Sequence, residues 1–486
     1  MKKINVLINC KWILIDIKGL IQHLRENQAL GTIYIVLNYE NAVHNKDIFF
    51  YNDAVNLEKC KELFPGCEFI MYRNAYIVDA YEVSTLSRVD EKFGFLSTVP
   101  ISELYDFNLD NLNHIDSVGA FAADNRCWSQ FNFTTQTVEH GIDIYGYFTN
   151  FFKTYDVDIV YCVTQNHYLA DYMLEKAAID SSSVTQVVHR RDLGFGDPGM
   201  KRFCLVDAKH GSILKSLSYF DKSDAQEISM YRDAGQISLA GPCLSEVFCN
   251  MKLRELFRAI KFELYIRLYF FPFYLRGLKS FYDKLCVATN ESDKYIFIPL
   301  HFEPESTISP TDGINSLQLY NIRILSSVLP EGWKVYVKEH PTQFKEKAYN
   351  LDSYTKSLPQ YKNKRFYEYI FNIKNVHLIR TEVSQKALIE DSQIVASNSG
   401  SVFMEASSCN KPCLAFGKNA FASMFSNVWT VSDVDNCKKA IKEIISVSEI
   451  NSNYMEVLSK YSMQSPREEC FAEPAVHFFE DISAQD

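Results

Sequence analysis

The fold class follows from residues 376–416, which read VHLIRTEVSQKALIEDSQIVASNSGSVFMEASSCNKPCLAF. Short runs of β-branched and apolar residues alternate here with helical patterns, which is typical of βαβ units on a parallel sheet. The pattern predicts three strands and two helices within this stretch: strands Val376–Ile379, Gln393–Ala396 and Pro412–Phe416, a helix Val383–Glu390, and a helix that begins at Val402.

The same alternation continues towards the N-terminus. It predicts a helix and two further strands at Ser316–Val328, Lys334–Lys338 and Tyr295–Pro299. A second series in the N-terminal half predicts strands at Ile4–Ile8, Gly31–Leu37, Cys67–Met71, Asp158–Val163 and Val184–Val188, and a helix at Tyr168–Ala178. Two such series predict an α/β fold with two Rossmann-like, doubly wound domains that face a cleft. Ligands of such sheets bind beyond the carboxyl ends of the strands.

A helical stretch separates the two series. Met251–Cys286 is rich in aromatic residues and contains Pro272, which is expected to kink or split the helix. It carries eight basic and three acidic side chains, a local charge of +5 in a chain of net charge −10. Two interpretations remain open: a surface for an anionic membrane, or an amphipathic helical pair packed on the N-terminal domain. The expected segments are an N-terminal α/β domain (1–250), a helical insert (251–290), a C-terminal α/β domain (291–445) and C-terminal helices (446–486) that return to the N-terminal domain.

Composition and charge exclude several classes of protein. With 47% apolar and 23% charged residues, the chain is an ordinary globular protein and not a disordered or fibrous one. The net charge of −10 argues against a general nucleic-acid binder, because a dispersed negative field repels phosphate polymers. The 13 cysteines include no Cys-x-x-Cys pair, which favours reduced thiols in the cytoplasm. No apolar run approaches the ~20 residues of a membrane span.

The sharpest candidate for chemistry is KVYVKEHP at Lys334–Pro341, where a predicted strand ends in polar residues. Pro341 disfavours helix at the preceding residue, so His340 is expected to be extended at the carboxyl end of the strand. From there Lys338 and His340 can donate hydrogen bonds to a phosphate. The alternative is that His340 is a polar residue of an ordinary strand-to-loop turn.

A second candidate is IVASNSGSVFMEASS at Ile394–Ser408, where a strand runs into small residues before a helix. Small residues let the backbone approach a ligand, and backbone N–H groups with hydroxyls can cradle an anion. Glu405, one turn into the helix, can accept hydrogen bonds from ribose hydroxyls. The alternative is an ordinary serine-rich cap with a first-turn glutamate. The candidate anion-binding residues are Ser397, Asn398, Ser399, Gly400 and Ser401.

A third candidate follows the predicted strand Tyr295–Pro299, in the sequence LHFEPES. His301, Glu303 and Glu305 are expected to project into the same crevice, where carboxylates suit glycosyl chemistry. A solvated acidic loop is the alternative. In the N-terminal half, Arg190 and Arg191 follow a strand and are candidates for binding a substrate carboxylate, although charged surface residues explain them equally well.

Taken together, PLHFEPES, VKEHP and ASNSGSVFMEA followed by KPCLAFG resemble the bacterial capsule polysaccharide biosynthesis family. That family includes retaining β-Kdo transferases and relatives that use other CMP-activated acidic sugars. The resemblance covers Tyr295–Gly417 well and residues 156–202 loosely. It implies a GT-B fold in which the C-terminal domain binds the nucleotide sugar and the N-terminal domain faces the acceptor.

The resemblance also assigns roles to residues. His340 matches the His-Pro motif that contacts the CMP phosphate, and Ser397, Ser399 and Ser401 match the serine motif at the same phosphate. Glu405 matches a ribose-binding acid. His301 stands where family members carry Gln, and the acidic residues that follow are represented by Glu303 and by Glu305, which takes the place of an aspartate.

The implied function is transfer of an acidic keto sugar, Kdo or a nonulosonic acid, from CMP to a lipid-linked or oligosaccharide acceptor of capsule or lipopolysaccharide. Configuration would be retained, with Glu305 as first and Glu303 as second candidate for the catalytic carboxylate. No cofactor and no metal are expected, since Lys338, His340 and the serines can neutralise one phosphate. The expected place is the cytoplasm, at the inner face of the membrane. Two alternatives remain: a GT-B transferase that uses a UDP- or GDP-sugar, and a non-catalytic glycan-assembly protein.

Overall fold

The computed structural model describes much of the C-terminal half of the chain and separate parts of the N-terminal half. The described residues are 3–10, 30–38, 65–72, 89–90, 95–97, 135–162, 169–195, 200–210, 212–214, 264–303, 315, 317–345, 358, 362–398, 400–416, 424–461 and 463–466. They fall into two compact units, each built on its own sheet.

The strands and helices are as follows. The strands are β1 (Ile4–Cys10), β2 (Leu30–Asn38), β3 (Glu68–Tyr72), β4 (Val89–Asp90), β5 (Phe95–Ser97), β6 (Ile159–Cys162), β7 (Gln186–Phe195), β8 (Met200–Asp207), β9 (Ser212–Ile213), β10 (Cys286–Val287), β11 (Tyr295–Pro299), β12 (Lys334–Lys338), β13 (Val376–Ile379), β14 (Ile394–Ser397), β15 (Cys413–Phe416), β16 (Val428–Val431) and β17 (Met463–Pro466). The α-helices are α1 (Thr135–Thr154), α2 (Leu169–Asp180), α3 (Arg276–Leu285), α4 (Gln318–Val328), α5 (Lys364–Phe371), α6 (Gln385–Asp391), α7 (Val402–Ser408), α8 (Val434–Ser446) and α9 (Tyr454–Tyr461), and Ile266–Leu275 is π-helical. No helix in these parts of the chain is both long and apolar enough to cross a membrane.

The N-terminal unit contains a mixed sheet with a parallel centre. Strands β3, β2, β1, β6 and β7 pair in that order and all run parallel. Antiparallel strands extend both edges: β8 and then β17 on one side, β5 and then β4 on the other. Because β17 pairs with β8, residues 463–466 belong to this sheet although 255 residues (208–462) separate the two strands in the chain. The antiparallel edges were not predicted from the sequence.

The C-terminal unit contains a parallel sheet in the order β10-β13-β12-β11-β14-β15-β16. From β11 the chain moves outward to β12 and β13, then returns past β11 to β14 and continues to β16. The helices change sides at that reversal. Those on the outward path, α4 and α5, pack in one core cluster with α3 and α8, while α6 and α7 form the cluster on the opposite face. This follows from the right-handedness of parallel crossovers.

Both sheets therefore have the strand order of a Rossmann-like fold, and the prediction of an α/β protein with two such domains is confirmed. The predicted strand at Gln393–Ala396 is β14, shifted by one residue, and the predicted helix from Val383 begins two residues later as α6. Ser384 causes the later start, because its hydroxyl caps the helix by accepting from the backbone N–H of Ala387.

The described part of the helical insert packs on the C-terminal sheet. Phe270 and Leu275 form a cluster with Phe302, while Leu278 and Tyr282 belong to the main core cluster of the C-terminal unit. The interpretation that the insert packs on the N-terminal domain is therefore wrong for this part, because α3 leads directly into the edge strand β10. Of the two effects predicted for Pro272, a kink or a split, the split is wrong, because Pro272 lies within the π-helical segment, which continues as α-helix from residue 276.

A buried ion pair connects the carboxyl end of β12 to the region before α5. Lys362 Nζ lies 3.0 and 3.2 Å from the two carboxylate oxygens of Glu339, and neither side chain is exposed. The Glu339 carboxylate also accepts from the Tyr367 hydroxyl (2.7 Å) and from the backbone N–H of His340 (2.7 Å). The backbone N–H of Glu339 donates to the Tyr282 hydroxyl (3.0 Å). A buried charge paired in this way holds a specific geometry and is costly to leave alone.

We expect Lys362→Met to lower the free energy of unfolding by about 3–5 kcal/mol, because it leaves the Glu339 carboxylate buried without its cation. Urea denaturation measures this. Lys374→Met, at an exposed lysine of the same unit, is the control and should change stability by no more than about 0.5 kcal/mol. The double variant Glu339→Gln/Lys362→Met should recover part of the loss, since no charge remains buried. Equal stability of the two single lysine variants would contradict the prediction.

Candidate functional site

The candidate site lies at the carboxyl ends of β11, β12 and β14, where the order of the strands reverses. In open α/β sheets this is where a crevice opens, because the loops after the two central strands diverge to opposite faces. Pro299 at the end of β11 pairs with Lys338 at the end of β12, and the backbone N–H of Leu300 donates to the carbonyl of Lys338 (2.8 Å). The three predicted motifs therefore leave neighbouring strands at one edge of the sheet.

His301 is in direct contact with residues 397–401, which we call the serine loop. The Nε2 atom of His301 lies 3.3 Å from the Ser397 hydroxyl oxygen. The backbone N–H of His301 donates to the side-chain oxygen of Gln318 (2.7 Å), which fixes the loop after β11 on helix α4. Gly400 has a φ of +99°, which other residues adopt only with strain, and a side chain there would approach the imidazole of His301 to 3.9 Å. The chain thus needs glycine at this turn.

Lys338 is a buried ammonium at the centre of this edge. Its side chain is only 4% exposed, and within the described residues it has neither an ion pair nor a side-chain hydrogen bond. Burial lowers the pKa of Lys338, whereas the nearby carboxylates of Glu405 and Glu382 raise it. An anion that binds here would remove much of the desolvation penalty of the ammonium.

The tautomer of the half-buried His340 is set by its own loop. The backbone N–H of Thr342 donates to His340 Nδ1 (3.2 Å), so the neutral imidazole carries its proton on Nε2. The ring lies 5.9 Å from the ring of Phe302. His340 is thus arranged to donate a hydrogen bond through Nε2, the role that a phosphate ligand requires.

Glu405 is buried on helix α7 with both carboxylate oxygens hydrogen-bonded. Ser401 donates its hydroxyl to Oε1 (2.9 Å), and Gln385 on α6 donates to Oε2 (2.8 Å). These bonds orient the carboxylate and place it in the electrostatic field of Lys338.

The side chain of Asn398 fixes the serine loop through two hydrogen bonds. Its amide donates to the carbonyl of Asn315 (2.5 Å), and its side-chain oxygen accepts from Asn321 on α4 (2.9 Å). Asn321 also donates to the Asn315 carbonyl (2.7 Å). The predicted contact of Asn398 with a nucleotide stays a prediction, and its observed bonds shape the loop.

Glu303 is buried beneath the loop that follows β11. Its Oε1 atom accepts from Gln318 (2.7 Å), and its backbone N–H and carbonyl both bond to the side-chain amide of Gln343 (2.9 Å each). Sequence reasoning missed Gln318 and Gln343, because no motif marks them. Helix α4 also contains Asn321, Arg323, Ser326 and Ser327, so a polar residue at its start gives no local signal. Glu305 and Ser399 lie outside the described residues.

The two candidate arginines belong to the N-terminal unit. Arg190 is buried in β7, and its positive charge partly opposes the burial that raises the pKa of Tyr161. The backbone of Arg191 pairs with Cys204 of β8. Their predicted contact with substrate stays a prediction.

Two Asp-x-Asp triplets, at 156–158 and 433–435, are the sequence features most similar to a divalent-cation site. Asp158 accepts from the backbone N–H of Asn5 (2.9 Å), and Asp433 caps α8 by accepting from the N–H of Asn436 (2.9 Å). Both aspartates have structural roles. The described ranges hold no group of three His, Cys, Asp or Glu residues placed to bind a metal. Metal independence stays a prediction.

Comparison with known proteins gives distant structural similarity. No protein-family model matches the chain, and no curated protein matches its sequence. The UDP-GlcNAc 2-epimerase of Methanocaldococcus jannaschii, solved with UDP-GlcNAc and UDP, is 11% identical over 100% of both chains, with a TM-score of 0.27. The UDP-GlcNAc 2-epimerase of Neisseria meningitidis is 13% identical over 99% of this chain and 100% of its own, with a TM-score of 0.23. A glycosyltransferase of Rickettsia africae is 10% identical over 100% of this chain and 99% of its own, with a TM-score of 0.24. Similarity at this level assigns neither a substrate nor an activity to this chain.

Proposed function

We propose that this chain is a glycosyltransferase of GT-B fold that takes an acidic keto sugar from a CMP-activated donor. The observation that supports the proposal is the position of Lys338, His340 and Ser397 at the carboxyl ends of β12 and β14, the two strands that flank β11 where the strand order of the C-terminal sheet reverses. This is the place where Rossmann-like sheets bind nucleotides, and these residue types suit one phosphate.

The proposed donor site neutralises a single phosphate without a metal. Lys338 supplies a buried positive charge, His340 donates through Nε2, and Ser397 with Ser401 adds hydroxyl groups beside the glycine turn. Preorganised donors of this kind stabilise the charge that develops on a leaving phosphate. The oriented carboxylate of Glu405, one helical turn further, is suited to accept from ribose hydroxyls.

The proposed chemistry breaks the bond between the anomeric carbon and the phosphate oxygen, and CMP leaves with the electron pair. The Glu305 carboxylate forms an ester with the anomeric carbon. The acceptor hydroxyl then displaces this carboxylate and gives its proton to a carboxylate or to water, so configuration is retained. The buried, hydrogen-bonded state of Glu303 supports its second rank, since its carboxylate already holds Gln318.

Nucleotide preference is the first prediction from this site. In a thermal-shift panel of CMP, UMP, UDP and GDP with a metal chelator present, CMP should raise the melting temperature most, because the site offers one phosphate subsite. UMP carries the same ribose and single phosphate as CMP, so the difference between the two measures the contribution of the base. Stabilisation by UDP equal to or above that by CMP would overturn the CMP assignment and favour a UDP-sugar enzyme.

Removal of the His340 imidazole tests the phosphate contact. His340→Ala should raise the CMP dissociation constant at least about tenfold, since a hydrogen bond to a charged group contributes roughly 1.5–3 kcal/mol. Isothermal titration calorimetry measures the change. His210→Ala, at an exposed histidine of the N-terminal unit, is the matched control and should bind CMP normally. Unchanged affinity in the His340 variant would place the phosphate elsewhere.

The catalytic carboxylate is tested by charge removal at constant shape. Glu305→Gln should bind CMP normally but lose several orders of magnitude in transfer and donor hydrolysis. Glu303→Gln should lose less, and Glu331→Gln, an exposed residue at the opposite end of β12, should behave as wild type. Mass spectrometry would detect the sugar ester. If Glu303→Gln is inactive and Glu305→Gln is active, the two roles are exchanged. If both variants are active, the catalytic group lies in the N-terminal unit.

A further inference from the structure

The surface of residues 264–285 has an exposed apolar part that the proposed reaction does not use. On the π-helical segment Leu268 is 65% exposed, Tyr269 is 54% exposed and Phe273 is 69% exposed. The opposite face of the same helical stretch is buried, with Phe270 and Leu278 in core clusters. The helix therefore presents its large apolar side chains to both the core and the solvent, although the core needs only one of the two faces.

The exposed aromatic rings form one continuous strip. The rings of Tyr265 and Tyr269 lie 5.6 Å apart, and those of Tyr269 and Phe273 lie 6.4 Å apart. They are spaced by four residues along the helix, so they share one side of it. A contiguous exposed apolar strip on a globular protein marks an interaction surface far more often than scattered apolar residues do.

The strip continues into a basic groove on α3. Arg276, Lys284 and Arg380 are exposed and line this groove together with Lys279. Lys279 is already neutralised, since its ammonium lies 2.8 Å from carboxylate oxygens of both Asp283 and Glu382. Lys284 and Arg380 make no ion pair within the described residues, and they give the groove a positive charge in a chain whose net charge is −10.

We propose that this apolar–basic face, residues 264–285 with Arg380, binds the surface of an anionic lipid bilayer. Tyrosine and phenylalanine rings partition into the headgroup region of a membrane, and neighbouring arginines and lysines contact lipid phosphates. Along one helical stretch, the aromatic strip supplies the apolar contact with the membrane, and the basic groove that follows it supplies the contact with lipid phosphates.

Flotation of the full-length chain with vesicles tests the proposal. Vesicles of phosphatidylcholine with 30% phosphatidylglycerol should bind the chain at least about tenfold better than pure phosphatidylcholine, with the difference reduced in high salt. The double variant Tyr269→Ser/Phe273→Ser should lose at least about tenfold in binding. Lys284→Glu/Arg380→Glu should lose roughly fivefold or more per residue.

Matched controls come from helix α8, next to the opposite edge strand β16. Ile445 is 52% exposed, and Lys438 and Lys442 are exposed on the same helix. Ile445→Ser and Lys438→Glu/Lys442→Glu should bind vesicles as wild type does. CMP binding should be unchanged in all four variants, which separates this proposal from the proposed donor site and shows that the variants fold.

Three results would overturn the proposal. They are equal binding to neutral and anionic vesicles, losses in the α8 controls equal to those in the face variants, and failure of the wild-type chain to float. Concentration-dependent dimerisation that Tyr269→Ser/Phe273→Ser abolishes, without any vesicle binding, would assign the face to self-association instead. Since the charge variant leaves the aromatic strip intact, it tests the proposal even if the aromatic double variant misfolds.

Discussion

The reversal of strand order between β11 and β14 is the constraint on which the candidate site depends. Parallel crossovers are right-handed, so a chain that moves outward from β11 and then back across it must place its helices on opposite faces of the sheet. The two core clusters of the C-terminal unit follow this division, with α4 and α5 on one face and α6 and α7 on the other. The loops after β11 and β14 continue towards opposite faces for the same reason, and His301 and Ser397 contact each other between them. Topology thus selects this edge as the place where an open α/β sheet binds ligands, and the side chains at the strand ends supply its chemistry.

Buried polar groups hold the loops around this crevice in one arrangement. Glu339 accepts from Lys362, Tyr367 and the backbone of His340, so buried groups outside the strand-end motifs hold the backbone of the candidate His340 in place. In the loop after β11, Gln318 bonds to both His301 and Glu303. Each polar partner satisfies a group that would be costly to bury alone. Rigid support of this kind is what a site for a developing charge requires.

Lys338 shows how burial prepares a cation for an anion. An exposed lysine gains little from a phosphate, because water already solvates both charges. Lys338 has lost most of that water, and the carboxylates of Glu405 and Glu382 only partly compensate it. Ser401 and Gln385 orient the carboxylate of Glu405, so its charge lies at a defined place relative to the ammonium of Lys338.

The amino-acid sequence by itself determined the fold class and the position of the candidate site along the chain. Alternating strands and helices predicted β11, β12, β13, β14 and β15 to within a residue or two, since hydrophobic periodicity is a local property. The same local pattern predicted that the polar residues after these strands lie at the carboxyl ends of the strands. The partners Gln318, Gln343 and Lys362 could not be predicted, because each bonds a residue that is distant in the chain and carries no local pattern. The edge strand β17 and the side on which the helical insert packs were decided only by tertiary structure. Both depend on which unpaired edge or apolar face is nearest once the two sheets have formed, and a one-dimensional pattern does not contain that information.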